Sequence, residues 1–282
     1  MLLKRKTSAE TLKLQEKYGV PYLVFPSLEN TGLVRHAFST RLGGCSTGDL
    51  ATMNLSSTRG DDPENVKENF QRFGAAVGFD PKDLVLSLQT HTTNVRLVTE
   101  EDRGKGFTRP RDYKDVDGLI TNVPGLVLAT FYADCVPLYF VDPVHRAIGL
   151  SHSGWRGTVN RMGAVTLQRM KEAFGTSPSD VWTAIGPSIC QDCYEVSEDV
   201  AQEFISAFEG QADDRLLYRK ENGKYQLNLW RANELVLLES GVPKDRIAVT
   251  DICTCCNPQV LFSHRASKGK RGNLGAFLQL LS

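Results

Sequence analysis

Residues 131–158 read FYADCVPLYFVDPVHRAIGLSHSGWRGT. Two apolar runs, 136–141 and 147–152, follow each other closely, and a helix is expected to begin near Thr158. Adjacent strands with no helix between them are not a βαβ unit, and the flanking sequence repeats the pattern. Strand-like runs lie at 33–39, 84–89, 94–99, 117–121 and 126–132, and again at 181–186, 246–250, 259–263 and 274–280. Helices are expected at four further places. One follows the capping-box spacing of Thr7-Ser8-Ala9-Glu10 and runs to about Tyr18. Another starts at Asp62-Pro63-Glu64, with a cap, a proline and an acid, and ends near Val77. The last two cover about 197–208 and 229–240, while the one from Thr158 ends near Gly175. Clustered strands with helices at irregular intervals predict an α+β fold, a single-domain sandwich with mixed sheets. Its expected span is 31–282, with residues 1–30 as an N-terminal extension packing on it. No GxGxxG or P-loop pattern opens a helix, so nothing indicates those two kinds of nucleotide binding.

Composition narrows the function classes. The 282 residues are 41% hydrophobic and 23% charged, which suits a soluble globular protein with a sizeable core. Lys+Arg and Asp+Glu are both 33, so no net field favours nucleic acid or an anionic membrane. The N-terminal MLLKRKTSAETLKLQEKYG is charged throughout and lacks the apolar centre of a signal peptide. Seven cysteines, an odd number, read as thiols or ligands in a reducing compartment rather than as a disulfide frame. A cytoplasmic protein acting on small molecules is expected.

The opening stretch also carries chemistry. Cys135 sits in an A-D-C-V-P corner, His152 ends the following apolar run, and His91 lies upstream in SLQTHTTNV. Catalytic zinc commonly takes three protein ligands and leaves a fourth position to water, which then loses its proton near neutral pH. These spacings match no local zinc-finger pattern. Taken singly, a histidine at a strand end or a cysteine beside apolar runs is usually structural. Both readings stand at this level, as does a metal-free pair with Cys135 as nucleophile and His152 as its base. Arg156, in GWRGT ahead of the predicted helix, suits phosphate or a carboxylate. Arg41 and Asn54, in the Gly/Ser/Thr-rich loop 40–60, could complete that pocket, and Gln89 joins them as a substrate-binding candidate. Asp134 and Asp117 are the nearest acids, with proton transfer and turn formation equally open to them. Cys190-x-x-Cys193 and Cys253-x-Cys255-Cys256 form a second thiol group, but a 59-residue gap and no standard knuckle argue against a zinc site there.

A set of ordered motifs then resembles a known family. These are FSTRLGG (38–44), MNLS (53–56), GDDPENVKEN (60–69), LQTHTTNV (88–95), VDGLIT (116–121), ADCVPLYF (133–140) and LSHSGWRGT (150–158). AIGPSI (184–189), CYEV (193–196), CT (253–254) and LFSHR (261–265) follow. From about Arg35 onward the chain resembles the YfiH/YlmD family, the laccase-domain or "polyphenol oxidase" proteins described as purine nucleoside phosphorylases. The resemblance implies a domain like the catalytic region of cytotoxic necrotizing factor, with zinc held by His91, Cys135 and His152. It also implies phosphorolysis of adenosine, inosine, guanosine and methylthioadenosine, and deamination of adenosine. Taken with the reading of the residues above, the expected catalytic set is Cys135, His152, Arg156 and Asp134. Departures from the family pattern are Thr92 for a glycine, Ser153 for an alanine, and Ala266 for a second arginine. Copper is less favoured than zinc. Five histidines cannot furnish a blue-copper centre together with an imidazole-rich copper cluster.

Overall fold

The Val136–Asp142 and Ala147–Ser153 strands pair antiparallel over their full length, from Val136 opposite Ser153 to Asp142 opposite Ala147. A computed structural model describes residues 3–282, and in it every residue of both strands is buried. Burial on both faces explains why these runs are almost continuously apolar instead of alternating. They form the centre of a six-stranded sheet ordered Ile247–Val249, Trp182–Ile185, Val136–Asp142, Ala147–Ser153, Gly118–Thr121, Val95–Leu97. A second six-stranded sheet is ordered Lys13–Lys17, Val20–Val24, Val34–Ser39, Leu274–Leu280, Val127–Tyr132, Leu84–Leu86. Both are mixed. Leu84–Leu86 runs parallel to Val127–Tyr132, and the outer strands of the first sheet run parallel to their neighbours.

The two sheets face each other. Phe38, Leu128, Tyr132 and Leu278 from one share a core with Leu119, Tyr139, Leu150 and Ala184 from the other. Two phenols bridge the layers, Tyr139 donating to the Ala37 carbonyl at 3.2 Å and Tyr132 to the Ser151 carbonyl at 3.1 Å. Helices cover the outer faces. Met162–Phe174, Glu198–Ala207 and Leu229–Glu239 pack on the first sheet, and Pro63–Val77 packs on the second through Phe70 and Phe73. The expected α+β sandwich is therefore what forms. No helix among the described residues is long and apolar enough to cross a membrane.

Local expectations fail where tertiary burial overrides propensity. Residues 7–18 do not form a helix. Lys13–Lys17 is a strand that turns back through Tyr18 and Gly19, both at positive φ (54° and 74°), onto Val20–Val24. Two successive left-handed residues make the tight hairpin that fits strand twist. All five residues of VPYLV are buried, so the chain gains more from joining the sheet than from a solvated helix. The helix expected from Thr158 starts at Trp155 and breaks at Arg161, whose φ of 60° separates Trp155–Val159 from Met162–Phe174. Residues 259–263 are turn, not strand, and lead into a short helix at His264–Ser267. A small three-stranded sheet of two- and three-residue strands (Glu195–Val196, Leu217–Arg219, Tyr225–Leu227) was not anticipated.

Candidate functional site

The site is organised by a buried carboxylate. Asp117, one residue ahead of the Gly118–Thr121 strand, accepts from the amides of Thr90 and Thr92 and from the Thr92 hydroxyl on one oxygen. Its other oxygen accepts from the His91 amide at 3.0 Å and from His152 Nδ1 at 2.8 Å. Burial would push this carboxyl up, but the His152 hydrogen bond and charge, with the Thr90 and Thr92 amides, hold it below the usual carboxylate range. An ionised carboxylate only accepts, so His152 carries a proton on Nδ1 and turns Nε2 toward the Cys135 side of the site. The same contacts curl the 90–92 segment so that His91 takes a φ of 67° and presents its ring beside that of His152, centroids 5.0 Å apart. Asp117 thus orients the His152 ring directly and places His91 through its backbone.

Cys135 arrives from the opposite side. Strand pairing sets Pro137 against His152, which leaves Cys135 just beyond the strand end. Asp134 turns the corner at a φ of 89°, a conformation costing about 1–3 kcal/mol for a residue other than glycine. Hydrogen bonds from the Thr254 hydroxyl (2.6 Å) and the Arg265 amide (2.7 Å) hold it there. The Cys135 sulfur lies 4.0 Å from His91 Nε2, and the ligand atoms of His91, Cys135 and His152 all lie within 4.8 Å of one another. A Cβ on Gly154 would come 3.0 Å from the His91 ring and 3.3 Å from the sulfur, so only glycine leaves the trio room. Without a cation, burial pushes the Cys135 thiol up, yet the His152 charge and hydrogen bond outweigh it and bring the thiol down. His152 is correspondingly raised, Cys135 and Asp117 overcoming the effect of burial. One soft sulfur and two imidazole nitrogens are a zinc-compatible donor set.

These three residues open into a cleft of about 700 Å³. Phe70, Phe107 and Phe131 form an apolar wall, and Arg59, Arg111 and Arg271 bring positive charge to the same space. Burial pulls the Arg271 guanidinium down to about 10, with neighbouring Arg59 adding to the effect, and its Nε is buried without a partner. Gln89 also lines the cleft, but its amide is engaged with the Phe131 backbone (2.6 and 2.8 Å) and it braces the wall.

Four other candidates lie elsewhere. Arg156 is exposed and stacks on Trp155, 4.2 Å from the ring centroid, because the helix starting at Trp155 turns it outward. Arg41 donates to the carbonyls of Ala51 and Pro258 and lies over Phe262, tying loops together. Asn54 is fully buried and knits Ser56, Asp61 and Asn273. Asp134 has both oxygens occupied behind the cleft. None of the four lines it. The arginines that line the cleft are Arg59, Arg111 and Arg271, which sequence reading passed over. Their signal was slight: Arg59 and Arg271 each stand beside a glycine in a polar loop.

The remaining histidines are spent on structure. His36 is buried between Phe25 and Tyr139, accepting from the Phe25 amide at 2.8 Å. His145 pairs with Asp142, and His264 opens the short helix after residue 263. Two converging imidazoles do not furnish a blue-copper centre and a copper cluster together.

Comparison with known proteins agrees with the architecture. The family model described as multi-copper polyphenol oxidoreductase laccase matches residues 35–281. Purine nucleoside phosphorylase YlmD of Bacillus subtilis is 35% identical over 254 residues, 89% of this chain and 90% of the relative. Adenosine deaminase RL5, from an unknown prokaryotic organism, is 33% identical over 231 residues, 81% of this chain and 87% of the relative. The crystal structure of Bacillus licheniformis hypothetical protein YfiH superposes with a TM-score of 0.88 at 31% identity, covering 95% of this chain and 99% of that one. The chain belongs to this laccase-type family, alongside the YfiH and YlmD proteins.

Proposed function

We propose that the cleft is the active site of a zinc-dependent purine nucleoside phosphorylase that also deaminates adenosine. One observation carries this reading: a three-donor set with an open side shares a single cleft with three arginines and an aromatic wall. Relatives named for both activities support it. His91, Cys135 and His152 would hold zinc, which when bound supplies Lewis acidity and water activation near neutral pH. Phe107 and Phe131, backed by Phe70, offer faces on which a purine can stack. Arg271, with Arg59 and Arg111 nearby, binds phosphate through charge-assisted hydrogen bonds. In phosphorolysis the C1′–N9 bond breaks, its electron pair leaves with the base, and a phosphate oxygen bonds to C1′. The base nitrogen takes up a proton. Substrates are adenosine, inosine, guanosine and methylthioadenosine. Seven free thiols suit a reducing, cytoplasmic setting.

Adenosine incubated with phosphate should give adenine and ribose 1-phosphate by chromatography, and inosine when phosphate is withheld. Absence of all three products rejects the reading. The anion site has its own test. Arg271→Ala should raise the KM for phosphate about 10- to 100-fold, matching a charged hydrogen bond of about 1.5–3 kcal/mol. The KM for adenosine should stay close to wild type. A rise confined to adenosine would move phosphate elsewhere.

A further inference from the structure

The loops that follow two parallel strands, Trp182–Ile185 and Ile247–Val249, run side by side through a bridge between Ser188 and Cys253. Each carries a cysteine pair with two residues between: Cys190-Gln-Asp-Cys193 and Cys253-Thr-Cys-Cys256. We propose that these four cysteines bind one zinc ion as a tetrathiolate, a structural centre separate from the cleft. Their sulfurs all lie within 4.8 Å of one another, with Cys193 to Cys256 at 3.5 Å and Cys190 to Cys256 at 4.0 Å. A tetrahedron of sulfurs about 2.3 Å from a single zinc has edges of about 3.8 Å. The observed separations are close to that edge and far beyond the roughly 2.05 Å of a disulfide.

The backbone is arranged for thiolates rather than thiols. The amides of Cys190 and Cys256 both point at the Cys253 sulfur, at 3.2 and 3.4 Å. Sulfur accepts such bonds weakly when neutral and better when charged. Four thiolates around one divalent ion leave two negative charges, and the Lys6 ammonium is anchored alongside by Asp192 at 2.6 Å. None of the four cysteines lines the cleft, and Cys255 falls outside the group.

The centre would serve the cleft from behind. The amide of Ile189, next to Cys190, donates to the Asp134 carbonyl at 3.0 Å, and Thr254, next to Cys253, donates to its carboxylate. One ion thus cross-links the two loops that hold the strained corner bearing Cys135. It is a positioning device and touches no substrate.

The inference is independent of the proposed reaction, and metal analysis separates the two. Protein purified without chelator should carry two zinc ions per chain. His91→Ala/Cys135→Ala, stripped of the cleft ligands, should keep one. Cobalt added to that variant after zinc removal should give the intense visible bands of a tetrathiolate. Cys193→Ser/Cys256→Ser should retain only the cleft ion, whereas Cys255→Ser keeps both. Should the double serine variant fail to fold, wild-type thiol chemistry still decides. Cys190, Cys193, Cys253 and Cys256 should resist alkylation until chelator and denaturant are added, and then all react. A metal-free His91→Ala/Cys135→Ala protein, or recovery of Cys193 and Cys256 as a disulfide, would overturn the proposal.

Discussion

Cys135→Ala is expected to lower both phosphorolysis and deamination by about 10³-fold or more, the equivalent of the several kcal/mol that a bound metal contributes to a transition state. His91→Ala and His152→Ala should each do the same. The triple variant should be little worse than any single one, because ligands that act as a unit are not additive. Folding should survive, since Cys135 lies beyond the end of its strand and contributes no ladder hydrogen bond of its own to the Val136–Asp142 pairing. Circular dichroism and melting would verify that. The experiment also separates two chemistries that use the same atoms. Low thiol and high imidazole pKa values describe an ion pair of the kind found in cysteine nucleophiles. If the thiol is the nucleophile, chelator-treated wild-type protein keeps full turnover and loses it to iodoacetamide. If zinc is essential, chelation alone silences the enzyme, stoichiometric zinc restores it, and bound zinc shields Cys135 from alkylation. Undiminished turnover by the chelated protein sinks the metalloenzyme.

The pairing that brings Cys135 near His152 is legible in the sequence, because two apolar runs joined by a short turn set their own register. His91 is different. It reaches the site only because Asp117, 26 residues later in the chain, gathers the 90–92 backbone, and no local pattern announces that. Hydrophobic runs marked most strands, but the N-terminal hairpin was hidden by charged residues whose helical spacing meant nothing once VPYLV found a sheet edge. A glycine-flanked arginine before a helix looks like an anion site, but the helix starts three residues early, and Arg156 stacks on Trp155 outside the cleft. Arg59 and Arg271 were invisible for the opposite reason. Single arginines in polar loops become a pair only when segments 219 positions apart in the chain meet, as they do through the Asn273 amide on Asn54. In the thiol group, Cys255 masks the regular spacing of Cys253 and Cys256.

Asp117→Asn should reduce metal affinity about 10- to 100-fold, the usual cost of removing the partner that orients a ligating histidine. An amide cannot accept on both sides. Whichever way the asparagine sits, its NH2 faces donors: either His91 N and His152 Nδ1, or Thr90 N, Thr92 N and the Thr92 hydroxyl. At about 1–3 kcal/mol for each buried donor left unpaired, the variant should lose about 2–6 kcal/mol of stability, read from the urea midpoint. The pH dependence provides a further check. Because the folded pKa of Asp117 lies below its ordinary value, its contribution is complete above the unfolded value of about 3.9 and is lost as pH falls through the lower folded value. Protonated Asp117 resembles asparagine, so the stability gap between wild type and variant should be widest near neutrality and close only in strong acid. A variant that binds metal like wild type, with an unmoved urea midpoint, would show that His91 and His152 are oriented by something other than this carboxylate.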